Sequence, residues 1–512
     1  MKHLALSGIG ILMILTSFCS CSCSCNKNIP ADQENPSENP DKPKPEVTIP
    51  EDIIYDCTVS IDASSYVSKD YIGNGVQWDP YEIYVISDAD WQKIYSRLDV
   101  MKPQFIRMMH NIAEKSADGV LTPEVGLDHL MHLLDYCQSR KITVMFGDWG
   151  GRLVDPENGT INEPVLRNAA EYIDFLINKK GYDCIKYYNL VNEPNGHWSQ
   201  TKGNYELWSR AVKFFWNEAA KIGLDAKIKM AAPDVAIWTD QETFWVSNTS
   251  RDLPDATGIY DIHTYPSKIT VNSGEYSRII KAYKDASAPG SKMVMGEIGF
   301  KYIEPEDAAY QAENLRRAEN LAHASIEDSQ MFVYDYMYGT DMADAVFQTI
   351  NAGFSGCVAW MLDDAMHFKE PGKLKIWGFW NIFGDERYGA EQEKVRPWFY
   401  AWSLICRYIP KGSDIYTVNV TGLDGIKAIA GVKDGKRTIA VVNVSKEERA
   451  VRISSDNLSD MDKVRIYIYG EGLFVTEGDC TMYPVATDMD FSPSKGEILK
   501  MPGESLILLT EL

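Results

Sequence analysis

The run Ile185-Lys186-Tyr187-Tyr188-Asn189-Leu190-Val191-Asn192-Glu193-Pro194-Asn195 opens as an apolar, β-prone segment and closes on polar residues. Seven other short runs share its texture: Gly75-Val76-Gln77-Trp78, Phe105 to His110, Ile142 to Asp148, Ile228 to Ala232, Ile259 to Tyr265, Met293 to Glu297 and Cys357 to Met361. Longer amphipathic stretches separate them. Leu127, Leu130, Met131, Leu134 and Cys137 follow helical spacing, and Pro164 opens a helix before Leu166, Ala169, Ala170 and Ile173. Strands alternating with helices imply βα units around a parallel sheet, and eight of them predict a closed (β/α)₈ barrel of the TIM type. The stretch between the seventh and eighth strands is long enough for two helices.

Outward from the barrel, the chain changes character twice. After residue 410 come Val, Ile and Thr runs with turn residues and no helical period, such as Arg437 to Val444, Val464 to Tyr469 and Ser505 to Leu509. They predict an antiparallel β-sandwich over 411–512, to which a strand from 55–64 could be added. The barrel is expected over 51–410, and 512 residues are more than one ordinary domain needs.

Residues 26–50 carry Pro30, Pro36, Pro40, Pro43, Pro45 and Pro50 among polar residues, an extended solvated tether. Before it, Lys2 and His3 precede an apolar run from Leu4 to Phe18, which is the length of a signal-peptide core and short for a membrane span. The run ends in Cys19-Ser20-Cys21-Ser22-Cys23-Ser24-Cys25. This resembles a bacterial lipobox with Cys21 as the lipidated residue, so 1–25 is expected to be a lipoprotein signal, and the mature chain a monomer anchored by lipid in the cell envelope. An ordinary cleaved signal peptide and a Cys-rich metal tract are the alternatives. The remaining cysteines, Cys57, Cys137, Cys184, Cys357, Cys406 and Cys480, have no short spacing and are expected as buried fillers. A net charge of -22 disfavours nucleic acid as a partner, and anionic glycans less strongly.

In a TIM barrel the C-terminal strand ends face the reactive mouth. Two strands end in glutamate there, the fourth at Asn192-Glu193-Pro194 and the seventh at Gly296-Glu297-Ile298-Gly299. Paired carboxyls about 5 to 5.5 Å apart are what glycoside cleavage with retention requires.

These motifs resemble glycoside hydrolase clan A, in particular the family 5 cellulase and mannanase type. The resemblance implies a retaining hydrolase of β-glucan or β-mannan, endo-acting, with Glu193 as general acid/base and Glu297 as nucleophile. It implies that Asn192 bonds the sugar 2-hydroxyl, that Arg107 keeps Glu297 ionised, and that Tyr265, paired with His263, donates to Glu297. Trp360 would be the platform under the sugar. Where the family has a His ending the third strand, this chain has Gly147-Asp148-Trp149-Gly150, and Asp148 and Trp149 are taken as substrate contacts in its place. The tail domain and the stretch around Trp78 look more like clan relatives that carry a β-sandwich.

Burial near Glu297 is expected to hold the pKa of Glu193 up. Among the tryptophans, Trp78, Trp149, Trp198, Trp238, Trp377 and Trp380 sit where a sugar-binding cleft could use them, and Trp198 is the first choice for a neighbouring subsite. Each residue also has a plainer reading: a solvated loop carboxylate for Glu193, a helix-start residue for Glu297, a rim pair for His263 and Tyr265, a structural ion pair for Arg107, a loop cap for Asp148. Two carboxyls suffice for the chemistry, so no cofactor and no metal is expected. An exo-acting β-glycosidase and a non-catalytic glycan-binding surface lipoprotein are the competing functions.

Overall fold

Eight parallel strands close into a barrel in the computed structural model, which describes residues 54–81, 84–116, 119–367 and 373–512. In chain order they are Gly75–Gln77, Phe105–His110, Thr143–Asp148, Ile185–Asn189, Lys229–Ile237, Thr257–Thr264, Met293–Ile298 and Cys357–Ala359. All eight expected strands are present, although the fourth stops at Asn189 and the fifth runs on to Ile237. The expected signal, Cys21 and the tether lie outside the described residues.

Side chains alternate in and out along a strand, and this sets the barrel's contents. Phe105, Met145, Ala231, Ile259, Val294 and Val358, with Tyr187 against them, fill the lower interior with apolar volume. Two residues further along the strands, on the same face, stand Arg107, Gly147, Asn189, Asp261, Gly296 and Trp360. The barrel interior therefore turns polar toward its C-terminal mouth.

Two bulges add to that polar layer. Along the fifth strand the register passes from Pro233↔Asp261 to Val235↔Ile262, leaving Asp234 as the extra residue, at φ 64°. Along the seventh it passes from Met295↔Ile262 to Glu297↔His263, leaving out Gly296. A Cβ at Gly296 would overlap the Asp261 carboxylate, so only glycine fits there. A bulge re-aims the side chains beside it, and these two bring Asp234 and Glu297 inward.

Helices cover the outside. Leu127–Arg140 and Glu163–Asp174 lie where their periodicity predicts, the latter with Pro in its first turn. Ala308–Glu319 and Tyr336–Asn351 are the two helices between the last strands.

The remaining domain is built on a nine-stranded sheet. Cys57–Ser68 runs antiparallel to Asp414–Thr421 and parallel to Arg449–Ser454, so an N-terminal strand completes a C-terminal domain. The sheet rolls around a core that includes Val59, Ile61, Val441, Val464, Leu499 and Leu509. Its other face joins the barrel core through Ala440, Val442, Tyr467, Tyr469, Leu506 and Leu508. There the Tyr469 hydroxyl donates to the Tyr336 carbonyl at 2.8 Å and Asn351 Nδ2 to the Ala428 carbonyl at 2.9 Å. The sandwich is thus a brace against the Tyr336–Asn351 helix. Cys57, Cys137, Cys184, Cys357, Cys406 and Cys480 are all buried with free thiols.

Candidate active site

A cavity of about 520 Å³ opens at the barrel mouth. Its wall includes Asp79, Asn111, Trp149, Asn192, Glu193, Tyr265, Glu297, Lys301, Asp328, Trp360 and Trp377, drawn largely from strand ends and the loops that follow them. Glu193 stands just past the fourth strand at φ 47°, a sparsely populated conformation for a residue with a side chain. Its backbone N–H donates to the Asp234 carbonyl at 3.1 Å, which holds the turn. Glu297 accepts from the Tyr265 hydroxyl at 2.6 Å and from Arg107 Nη1 at 2.5 Å.

Arg107 is the hub. Fully buried, it also donates to Asn192 Oδ1 at 2.7 Å, to Asp234 Oδ2 at 3.2 Å and to Gln77 Oε1 at 3.0 Å. His263, equally buried, stands between the glutamates: Nδ1 is 3.3 Å from Glu193 Oε1 and 3.6 Å from Glu297 Oε1, while Nε2 is 3.1 Å from Asp234 Oδ1. One donor atom each from Glu193, His263 and Glu297 lie within 4.8 Å of one another.

Charge follows from these contacts. Burial disfavours the cationic form of His263, but Asp234 and Glu297 outweigh it and hold the imidazole protonated well above its usual range. Burial pushes Glu297 up, against the pull of His263 and Arg107. Burial also pushes Glu193 up, but the hydrogen bond and charge of His263, together with the Trp198 indole, bring it below the usual carboxylate range. This corrects the expectation that Glu193 is held up: its neighbours donate to it more strongly than burial penalises its charge. Asp234, held by Arg107 and His263 against burial, falls to about 2.

The donor groups Glu193–His263–Glu297 and Asp234–Asp261–His263 are compact enough to surround an ion. Both nitrogens of His263 face carboxylates as N–H donors, however, and the Arg107 guanidinium sits among them. With both nitrogens donating, His263 has no lone pair to offer an ion, and Arg107 already occupies oxygens of Glu297 and Asp234.

Most of the candidates come together here. Asn192, Arg107, His263, Tyr265 and Trp360 surround the two glutamates, and Trp149 lines the cavity. Two do not. Trp78 is fully buried, edge-on to Tyr136 in the layer between barrel and helices, because its neighbour Gln77 takes the inward position. Asp148 is buried too and accepts the backbone N–H groups of Ile112 at 2.7 Å and Gly150 at 2.6 Å, so it ties two loops instead of meeting a ligand. Trp198 and Trp238 stand beside the cavity, 50% and 42% exposed, whereas Trp380 is core and Trp377 packs edge-on to Tyr265.

The sequence reading missed Asp79, Asp234, Asp261, Lys301 and Asp328. Strand parity marks Asp79 through Gln77 and Asp261 through His263. Asp234 carries no such signal, because it is a bulge beyond the point where the strand was expected to end.

Burial raises Asp79, Asp148 and Asp363 to about 7 each. A carboxyl whose folded pKa exceeds its unfolded value favours the fold below the unfolded value and loses that contribution as pH rises through the folded one. The unfolding midpoint is therefore expected to fall from about pH 5 to about pH 8, and a thermal scan at each pH checks it. A midpoint that rises over this interval contradicts the assignment.

No family model and no curated protein sequence matches the chain. Solved structures do. A GH30 endoxylanase from Clostridium papyrosolvens C71 is 13% identical, with 88% of this chain and 99% of that chain covered and a TM-score of 0.59. The catalytic domain of GH30 xylanase C from Talaromyces cellulolyticus is 12% identical, with 88% and 99% covered and a TM-score of 0.60. A GH39 β-xylosidase from Caulobacter crescentus is 13% identical, with 88% and 99% covered and a TM-score of 0.53. Families 30 and 39 belong to glycoside hydrolase clan A, and the fold of this chain, a (β/α)₈ barrel with a β-sandwich, is theirs.

Proposed function

We propose that the chain is a retaining β-glycosidase in which Glu297 attacks the anomeric carbon while Glu193 protonates the departing oxygen. The observation that carries this reading is the pair of carboxylates facing one cavity from opposite strands, with donor oxygens within 4.8 Å. A retaining pair stands about 5 to 5.5 Å apart, whereas an inverting pair needs about 6.5 to 9.5 Å to admit a water.

In the first step the glycosidic C–O bond breaks, its oxygen takes the Glu193 proton and a Glu297 oxygen bonds to the anomeric carbon. In the second, Glu193 takes a proton from water, the water oxygen bonds to that carbon, and Glu297 leaves as carboxylate. Arg107 and the Tyr265 hydroxyl stabilise the carboxylate whenever it is released. Following the anomeric proton by NMR early in hydrolysis is expected to show a first product of retained configuration, and an inverted one removes Glu297 as nucleophile.

For substrate we infer a neutral β-linked glycan. The indoles of Trp149, Trp360 and Trp377 in the cavity wall support it, since sugar C–H faces pack on aromatic rings. β-Glucan and β-mannan are the backbones the motifs suggest, and β-xylan joins them because xylanases and a xylosidase share the fold. Endo action yields a ladder of oligomers. Exo action yields mono- or disaccharide alone, so product size on a long glycan separates the two. We further propose, from the N-terminal sequence, that lipidation of Cys21 holds the enzyme at a bacterial envelope; Cys21→Ala is expected to release it into the soluble fraction.

A further inference from the structure

Both oxygens of Glu193 are held by N–H donors. His263 Nδ1 stands 3.3 Å from Oε1, and the Trp198 indole Nε1–H donates to Oε2 at 2.7 Å. Two such donors suit a carboxylate. A carboxylic acid that must hand a proton to a leaving oxygen has to free one of its own oxygens first. The donors that pull Glu193 below its usual range are these same two side chains, acting against burial.

They differ in freedom to move. His263 is fully buried and locked from behind by Asp234 at 3.1 Å. Trp198 is half exposed, lies in the turn-rich stretch after Glu193, and meets the exposed Trp238 edge-on at 6.0 Å. Its ring lies against Gly196, where a Cβ would overlap it. The other groups facing Glu193 are Glu297 from the seventh strand, Asp234 from the fifth, Tyr265 beyond the sixth, and Asn192 with Arg107 behind it. Glu297, Asp234, Tyr265 and Arg107 are buried, which leaves Trp198 as the adjustable neighbour.

We propose that Trp198 is a removable cap on the acid: its indole N–H holds Glu193 as carboxylate before substrate binds, and a sugar ring stacking on the Trp198–Trp238 pair turns the indole off Oε2. Glu193 then takes up its proton only with the leaving group in place. Stacking is the natural driving interaction, because both indoles are partly exposed beside the cavity. The inference rests on Glu193 being the acid/base of the reading above and adds a device that couples its protonation to occupancy on the leaving-group side.

Two variants test it by different routes. Trp198→Phe keeps a ring and removes the N–H; Gly196→Ala keeps the indole and supplies the Cβ that displaces it. The basic limb of kcat/KM reports the acid in the free enzyme, and that of kcat reports it in the complex. On an oligosaccharide, the wild-type limb is expected to lie at higher pH in kcat than in kcat/KM. Both variants are expected to raise the kcat/KM limb by about one pH unit and leave the kcat limb in place. Coincident limbs in the wild type, or a kcat/KM limb unmoved in both variants, overturn the cap.

A second readout needs no turnover. In the full chain with ¹⁵N-labelled tryptophan, the Trp198 indole resonance, identified by its loss in Trp198→Phe, is expected to titrate with Glu193 and to stop titrating in Glu193→Gln. An indole that ignores pH overturns the cap whether or not the protein is a glycosidase. A titrating indole in a protein that cleaves no β-glycoside sustains the hydrogen-bond cap and overturns the glycosidase reading instead.

Discussion

Hydrolysis by the Glu297→Gln variant is expected to fall by roughly 10⁴-fold or more, the scale on which covalent catalysts lose activity with their nucleophile. Glutamine preserves volume, and its carbonyl oxygen can still accept from Arg107 while its amide NH₂ takes the position facing the Tyr265 hydroxyl, whose oxygen can accept in turn; these two groups hold the native carboxylate at 2.5 and 2.6 Å. The fold should therefore survive, while a neutral amide cannot form the glycosyl ester. Glu193→Gln separates the two roles. Its loss is expected at about 10² to 10⁴-fold on substrates with poor leaving groups, and formation of the glycosyl-enzyme from an activated aryl glycoside should be much less affected, since that leaving group needs no proton. Rates on the two substrate types, with oligosaccharide binding measured in parallel, check both statements. Equal losses in the glycosyl-enzyme-forming step on both substrates in Glu193→Gln would remove it as the acid.

Arg107→Met is expected to cost stability as well as activity, by about 3 to 5 kcal/mol, because it strips the cation from buried anions. Glu297 and Asp234 both lean on this guanidinium, and Asn192 and Gln77 accept from it as well. Arg107→Lys should not restore the wild type, since one ammonium cannot reach four acceptors that a planar fork spans. Adding Asp234→Asn to Arg107→Met should recover part of the loss by removing one uncompensated charge, and denaturant unfolding of the single and double variants gives the coupling. A double variant that merely adds the two single losses would mean that Arg107 and Asp234 are not energetically linked. Activity should stay lost in every combination lacking Arg107, because Glu297 would then keep the Tyr265 hydroxyl but have His263 as its only neighbouring cation.

The barrel was legible because strands buried on both faces read as apolar runs, and eight of these alternate with helical periods. Glu193 and Glu297 were legible because each directly follows such a run. Trp78 and Asp148 went astray for one reason, which is strand parity. Gln77 pairs with Arg107 and points inward, so Trp78 points out. Met145 lies in the barrel interior, so Gly147 faces in and Asp148 faces out. Counting in steps of two from the interior cluster separates both from Arg107, Asp261, His263 and Trp360. No such count finds Asp234 or foresees how Glu297 turns in, since each depends on a bulge that breaks the step.

By itself the sequence determined the alternation of strands and helices, the acidic residues at two strand ends and the β-rich tail, because hydrophobic period and residue type are local properties. Tertiary structure alone decided the charge in the site. Whether Glu193 carries a proton depends on His263, Trp198 and Asp234, which come from three separate parts of the chain and meet only when the barrel closes. Burial and hydrogen bonding act there over a few ångströms with opposite signs, and their balance is set by distances that residue order does not contain.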